Sequence, residues 1–156
     1  MPNESVVMLK ESLEDLEKIN LPEGYELKTF EPGDEVKWVE LMRAVFPESD
    51  WTVERFVEVF ASQPQFDPEG LFFIVKGDEY VATALGWYDD LNVKEVGRVH
   101  WVGVREEHRG KGLGKAIVLA VLHYLKGKGS QKAILDTQEY RKPAIKLYES
   151  LGFKRI

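Results

Sequence analysis

Apolar and polar residues change their spacing several times along the chain, and each change marks an element. Val6, Leu9, Leu13 and Leu16 recur every three or four positions, which predicts an amphipathic helix within residues 1–22, stopped by Leu21-Pro22-Glu23-Gly24. Tyr25 to Phe30 alternates as a strand. Asp34 is placed to cap a helix with apolar positions Trp38, Leu41, Met42 and Val45, closed by Pro47. Val53, Phe56, Val57 and Phe60 predict another helix near residues 52–60, and the loop between the two carries Phe46 and Trp51. Leu71 to Lys76 is an apolar run of strand length, Gly77-Asp78 has hairpin chemistry, and Glu79 to Tyr88 returns antiparallel.

Gly97 to Val104 is the next strand. Alternation puts Val99, Trp101 and Gly103 on one face and Arg98, His100, Val102 and Val104 on the other. Beyond a charged turn, Leu113, Ala116, Ile117, Ala120, Val121, Tyr124 and Leu125 fall at helix spacing until Gly127 and Gly129. Lys132 to Thr137 is a strand, and Pro143 opens a helix with Ala144, Leu147, Tyr148 and Leu151 on one face. Gly152 ends that helix, and Phe153 begins a last strand. After the first helix the order is β-α-α-β-β-β-α-β-α-β, an α/β chain of the α+β, mixed-sheet kind.

Between the central strand and its helix, Gly110, Gly112 and Gly114 alternate with Lys111, Leu113 and Lys115, behind Arg109. Helix-start amides lack internal partners, and glycine lets an anion approach them, so this turn suits a phosphate or diphosphate. The same glycines would also serve a turn that only relieves crowding. Spacing excludes the two best-known phosphate loops. Ala116 follows Lys115 where a Walker A loop needs Ser or Thr, and G-x-G-x-G is not the dinucleotide pattern G-x-G-x-x-G.

Arg109 to Gly114 reads R-x-x-G-x-G, and Ala144 to Phe153 reads A-x-x-L-Y-x-x-x-G-F. In this order and at this separation the two blocks resemble the GNAT superfamily of N-acetyltransferases. The close likeness covers residues 96–156; the N-terminal half agrees only in its order of elements. The resemblance implies a GNAT-like domain over residues 23–156, with residues 1–22 as a helical extension. It also implies an N-acetyltransferase that moves the acetyl group of acetyl-CoA directly to a primary amine, on a small molecule or a peptide. The pantetheine arm would pair with the backbone of Val102, Gly103 and Val104. The diphosphate would sit on Arg109, Gly110, Lys111, Gly112, Leu113, Gly114 and Lys115.

Tyr148 matches the tyrosine that the family commonly uses to protonate the leaving thiolate. By itself, a tyrosine on the apolar face of a helix reads as a core residue. His100, four residues before Val104 and on its face, is similar to a histidine of the arylalkylamine N-acetyltransferase branch, where it serves as a base. It reads equally well as a packed strand histidine, with Asp136 and Glu139 as carboxylate alternatives. His108 is expected in solvent and His123 at the surface or in packing. Two departures stand out. Arg141 replaces the asparagine that many members have three residues before the alanine, and the chain stops at Ile156, where the family continues into a further strand. Either the chain is shortened there or a partner subunit, in a homodimer for example, covers the sheet edge.

At 156 residues the chain is most simply one domain. Lys and Arg number 21 against 27 Asp and Glu, a net charge of −6, which argues against nucleic acid and mildly favours a cationic acceptor. No cysteine means no disulfide, thiolate site or cysteine acyl-enzyme, and the histidines show no metal spacing, so no metal is expected. The apolar run Val6 to Leu9 is too short for a signal, and Ala116 to Leu122 too short for a membrane span; a cytoplasmic protein is expected, without a membrane partner. Trp51, Trp87, Tyr88, Asp89 and Asp90 would suit a cation pocket, although most read better as core and hairpin residues. The competing class is a CoA-binding sensor or interaction module with little or no turnover, motivated by Arg141 and the chain end.

Overall fold

The first six-residue element contradicts the helix expected at the N-terminus. In the computed structural model, which describes residues 4–156, Ser5–Lys10 is strand β1. Its burial alternates, with Val6 and Met8 inward, so the three-and-four spacing of Val6, Leu9, Leu13 and Leu16 combined a strand with the coil that follows it. Both edges of β1 are paired: Ser5–Lys10 runs antiparallel to Gln138–Ala133 on one side, and Met8 and Leu9 face Arg155 and Lys154 on the other. Leu13 and Leu16 still pack on the core, but from irregular chain on either side of a turn.

The remaining elements follow the expected order. They are β2 (Glu26–Thr29), α1 (Asp34–Val45), α2 (Val53–Phe56), β3 (Leu71–Lys76), β4 (Glu79–Trp87), β5 (Val96–Val104), α3 (Leu113–Gly127), β6 (Lys132–Gln138), α4 (Lys142–Ser150) and β7 (Lys154–Arg155). A π-helical turn, Val57–Ala61, continues α2. The sheet runs β2-β3-β4-β5-β6-β1-β7, and among the described residues its one parallel pair is β5 with β6. Asp34 opens α1 but is not its cap, a place taken by Gly33. The Asp34 carboxylate instead accepts the Tyr80 hydroxyl at 2.6 Å and pairs with Lys28 at 2.9 Å, tying α1 to β2 and β4. Among the described residues no helix is long and apolar enough to cross a membrane.

Each face of the sheet has its own core. On one, α3 and α4 bring Ile117, Val121, Ile145 and Tyr148 onto Val81, Val99 and Leu135. On the other, α1 and α2 gather an aromatic cluster in which Trp38 lies 4.8 Å from both Trp51 and Phe56. The two cores explain why the sheet strands read as apolar runs.

Two features of β5 position everything downstream. Ala82 pairs with Val104 and Thr83 with Gly103, but Leu85 pairs with His100, so β5 holds one residue more than β4 across that interval. The extra residue is a bulge at Trp101, whose φ is 51°. A tryptophan in the left-handed region costs roughly 1–3 kcal/mol, a strain held by its packing. Its ring meets Trp51 at 5.3 Å and Phe46 at 6.0 Å. The bulge overturns the expected faces. Val99, Val102 and Val104 pack on the α3 side, whereas His100 stacks edge-on against Phe60 at 5.6 Å and Trp101 joins the aromatic core. His100 and Val104 therefore lie on opposite faces. Secondly, β5 pairs with β6 only from Val96 to Arg98, and beyond Arg98 the two strands part.

Candidate functional site

The parting of β5 and β6 opens the sheet, and two cavities fill the opening. The larger, of about 530 Å³, runs along Val102, Gly103 and Val104 to the start of α3, with α4 as its other wall. Gly110 and Gly112 both have φ of 80°, a conformation that glycine adopts without the crowding a side chain would bring. Gly112 is the N-cap of α3, and its carbonyl accepts the first helical bond, from Ala116 at 3.1 Å. Among the described residues none of the amides from Gly110 to Lys115 is paired with a carbonyl outside the regular helix bonds. These donors, set at the positive end of a 15-residue helix, are chemically suited to a diphosphate.

The cationic side chains divide. Arg109 donates Nε to the Val104 carbonyl at 3.1 Å, holding the turn against the strand end, and lines the cavity. Lys115 also lines it, while pairing with Glu17 at 2.9 Å. Lys111 is exposed and lies outside the cavity wall. His108, expected in solvent, is instead anchored through both ring nitrogens, to the Tyr25 hydroxyl at 2.8 Å and to Glu79 at 3.0 Å, and it borders the cavity. Those partners lie in β2's approach and in β4, so no local pattern announces them.

The second cavity, of about 390 Å³, shares Val102, Arg141, Ala144 and Tyr148 with the first. Tyr148 is 6 % exposed and stands where the two meet. Burial pushes its phenol up to about 12, with Arg141 pulling slightly the other way, so the group keeps its proton at neutral pH. His100, Arg98 and Asp136 line the second cavity, whose other walls include Phe46 and Trp101. Burial lowers the His100 imidazole to about 4, reinforced by the neighbouring Arg98 guanidinium, so the ring is neutral.

The structure thus brings together Tyr148, the β5 residues Val102 to Val104, and the glycine turn. It also brings His100 to the second cavity, which Tyr148 shares, although not on the face that the strand alternation predicts. Trp51, Trp87 and Tyr88 are buried core residues, and Tyr88 hydrogen-bonds Ser130 at 2.6 Å. Asp89 reaches the site indirectly, by binding Arg98. Phe46, Glu48 and Ser49 also line the second cavity; they belong to the apolar-rich loop at residues 46–51, which the family resemblance already places over an acceptor cleft. Gln138 lines it too, without a signal in the sequence.

The family described as Acetyltransferase (GNAT) family matches residues 36–153. A mycothiol acetyltransferase of Thermomonospora curvata is 34% identical over 157 residues, covering 96% of this chain and 52% of that protein. Another, from Thermobispora bispora, is 39% identical over 143 residues, covering 86% of this chain and 48% of its own length. The chain therefore spans about half the length of these curated relatives. Among solved structures, a GCN5-related N-acetyltransferase from Sphaerobacter thermophilus superposes with a TM-score of 0.80 at 27% identity, over 100% of this chain and 50% of the other.

Proposed function

The chain belongs to the GNAT acetyltransferase family, and from that premise we propose that it transfers the acetyl group of acetyl-CoA to a primary amine, with Tyr148 as proton donor. The observation that carries this is the placement of Tyr148, buried and protonated, at the junction of two cavities of different character. Acetyl-CoA, when bound, supplies an acyl carbon activated as a thioester for attack by an amine.

The residues present fit that group. The unpaired amides from Gly110 to Lys115, with Arg109 and Lys115, would hold the diphosphate. The free edge of β5 from Val102 to Val104 offers main-chain groups to an extended arm, as an added strand would use them. Tyr148 Oη holds a proton beside that edge and is placed to give it to a departing thiolate. The second cavity, which Tyr148 also lines, would take the acceptor. His100 serves there as a neutral wall. An imidazole held near 4 is a weak base at neutral pH, which weighs against giving it the proton of the incoming ammonium. Asp136 and Glu48 are the carboxylates on the same cavity, and Asp136, ion-paired with Arg98, is the one to which we assign that proton. The name of the relatives from Thermomonospora curvata and Thermobispora bispora supports a small-molecule acceptor.

A thiol-release assay with acetyl-CoA and a panel of primary amines tests the reading. Turnover that falls steeply in Tyr148→Phe, with acetyl-CoA affinity kept, is expected. CoA binding without turnover of any amine would leave the chain as a CoA-binding module.

A further inference from the structure

The second cavity is lined by two acidic side chains, Glu48 and Asp136, and two basic ones, Arg98 and Arg141. On its β6 wall, Asp136 Oδ1 accepts a hydrogen bond from Arg98 Nη1 at 3.0 Å, while its Oδ2 accepts none among the described residues. Arg98 is held from the far side by Asp89, through Nε at 2.9 Å. Two carboxylates against one guanidinium leave this group negative; Arg98 and Asp136 both line the cavity, but the Arg98 guanidinium is already engaged by the two carboxylates. The arginine fixes the orientation of Asp136, so a cation meets a carboxylate already aimed at it.

On the α4 wall stands Arg141, the N-cap residue of that helix. Its guanidinium lies 4.3 Å from the centre of the Phe46 ring, and it makes no ion pair or side-chain hydrogen bond among the described residues. Stacking occupies the flat face of a guanidinium and leaves its N–H edge for a ligand. Arg141 and Asp136 line the same cavity of about 390 Å³, as does Tyr148. An acceptor whose amine is to meet the reaction centre beside Tyr148 therefore encounters an anion and a fork-shaped cation together. The group that satisfies both is an amine with a carboxylate or carbonyl on the adjacent carbon. A simple alkylamine would leave the guanidinium unmatched. The remaining wall mixes Phe46, Trp101 and neutral His100 with the polar side chains of Glu48, Ser49, Thr137 and Gln138, so it offers a side chain both apolar and polar surface.

We propose that the acceptor belongs to the α-amino-acid class, free or as an amide, with its amino group drawn to Asp136 and its carboxylate or carbonyl held by Arg141. This rests on reading the chain as an acetyltransferase and names the chemistry that its acceptor cavity selects.

The test compares three matched pairs as acceptors in the thiol-release assay: L-serine with ethanolamine, L-methionine with 3-(methylthio)propylamine, and L-phenylalanine with phenethylamine. L-serinamide and L-methioninamide represent the amides. The expected result is that an amino acid or its amide exceeds its decarboxylated partner by at least about tenfold in kcat/KM. Arg141→Ala should bring the pair within about threefold while acetyl-CoA KM stays within about twofold, and Arg141→Lys should recover part of the preference. Asp136→Asn should weaken both members of a pair. Equal or reversed preference in the parent protein overturns the proposal, as does an Arg141→Ala effect confined to acetyl-CoA KM, which would give the guanidinium to the cofactor groove. If no acceptor turns over, calorimetric binding of L-methionine and 3-(methylthio)propylamine to protein saturated with CoA decides. Tighter amino-acid binding lost in Arg141→Ala upholds the selection although acetyl transfer fails, and equal binding overturns the selection too.

Discussion

The two cavities that meet at Tyr148 are built from different parts of the polypeptide. The larger is made mostly by main chain: a strand edge left without a partner and a helix start whose amides point nowhere else. Its essential residues lie between Val102 and Lys115, close in sequence. The smaller is made by side chains from widely separated segments, Phe46 after α1, Arg98 and His100 on β5, Asp136 on β6 and Arg141 before α4. A main-chain site depends on conformation and tolerates many side chains. A side-chain site depends on identity at each position. On the proposed function, such an architecture would let the donor groove stay constant while the acceptor cavity varied, as expected when binding is grafted onto a stable scaffold.

The largest expected effect lies where the cavities join. Tyr148→Phe removes the proton that burial keeps on the phenol, and kcat should fall by about 100-fold, the scale of a lost general acid, with little change in acetyl-CoA KM. Steady-state kinetics separate the two constants, and a matching rise in KM would move Tyr148 from chemistry to binding. Next comes the groove's conformation. Gly112→Val meets open space but must hold φ near 80°, so CoA affinity measured by calorimetry should drop by about tenfold or more. Unchanged affinity would mean that the turn does not need its left-handed residue.

A smaller effect concerns His100 and acid. Its folded pKa of about 4 lies below the ordinary value near 6.5, so as pH falls the unfolded chain takes the proton first. The stability tied to the neutral ring is complete above about pH 6.5 and is lost on the way down to about pH 4. In His100→Gln that loss should vanish, a difference between variant and parent on the order of 3 kcal/mol across the window. Urea unfolding at several pH values measures it, and parallel curves would contradict the burial argument. Smallest of all, Lys111→Ala should alter CoA affinity by less than about threefold, since an exposed side chain outside the wall adds only screened attraction.

The contrast also explains what could be read without coordinates. The glycine turn was legible because its spacing and its chemistry occupy one stretch, and the β3–β4 hairpin because Gly77-Asp78 punctuates two apolar runs. Strand β1 was not, because Val6, Leu9, Leu13 and Leu16 fit a helical face by coincidence, and the partner that makes Ser5–Lys10 a strand lies at Ala133–Gln138. The bulge at Trp101 was hidden for another reason. Nothing about a tryptophan announces a positive φ, and one extra residue reverses every face upstream of it, His100 included. His108 read as solvated because Tyr25 and Glu79 come to it only in the fold. Arg141 was visible as a departure from the family pattern, but its stacking on Phe46 joins segments nearly a hundred residues apart.

The claim beneath both cavities is that the amides from Gly110 to Lys115 are the diphosphate site. Amide NMR of nitrogen-15-labelled protein during a CoA titration tests it most directly. The account predicts that the signals of Gly110, Gly112, Leu113 and Gly114 shift first and furthest, as donors that had no carbonyl partner acquire phosphate oxygens. CoA that binds while those signals stay in place, or a folded protein that binds none, would contradict it.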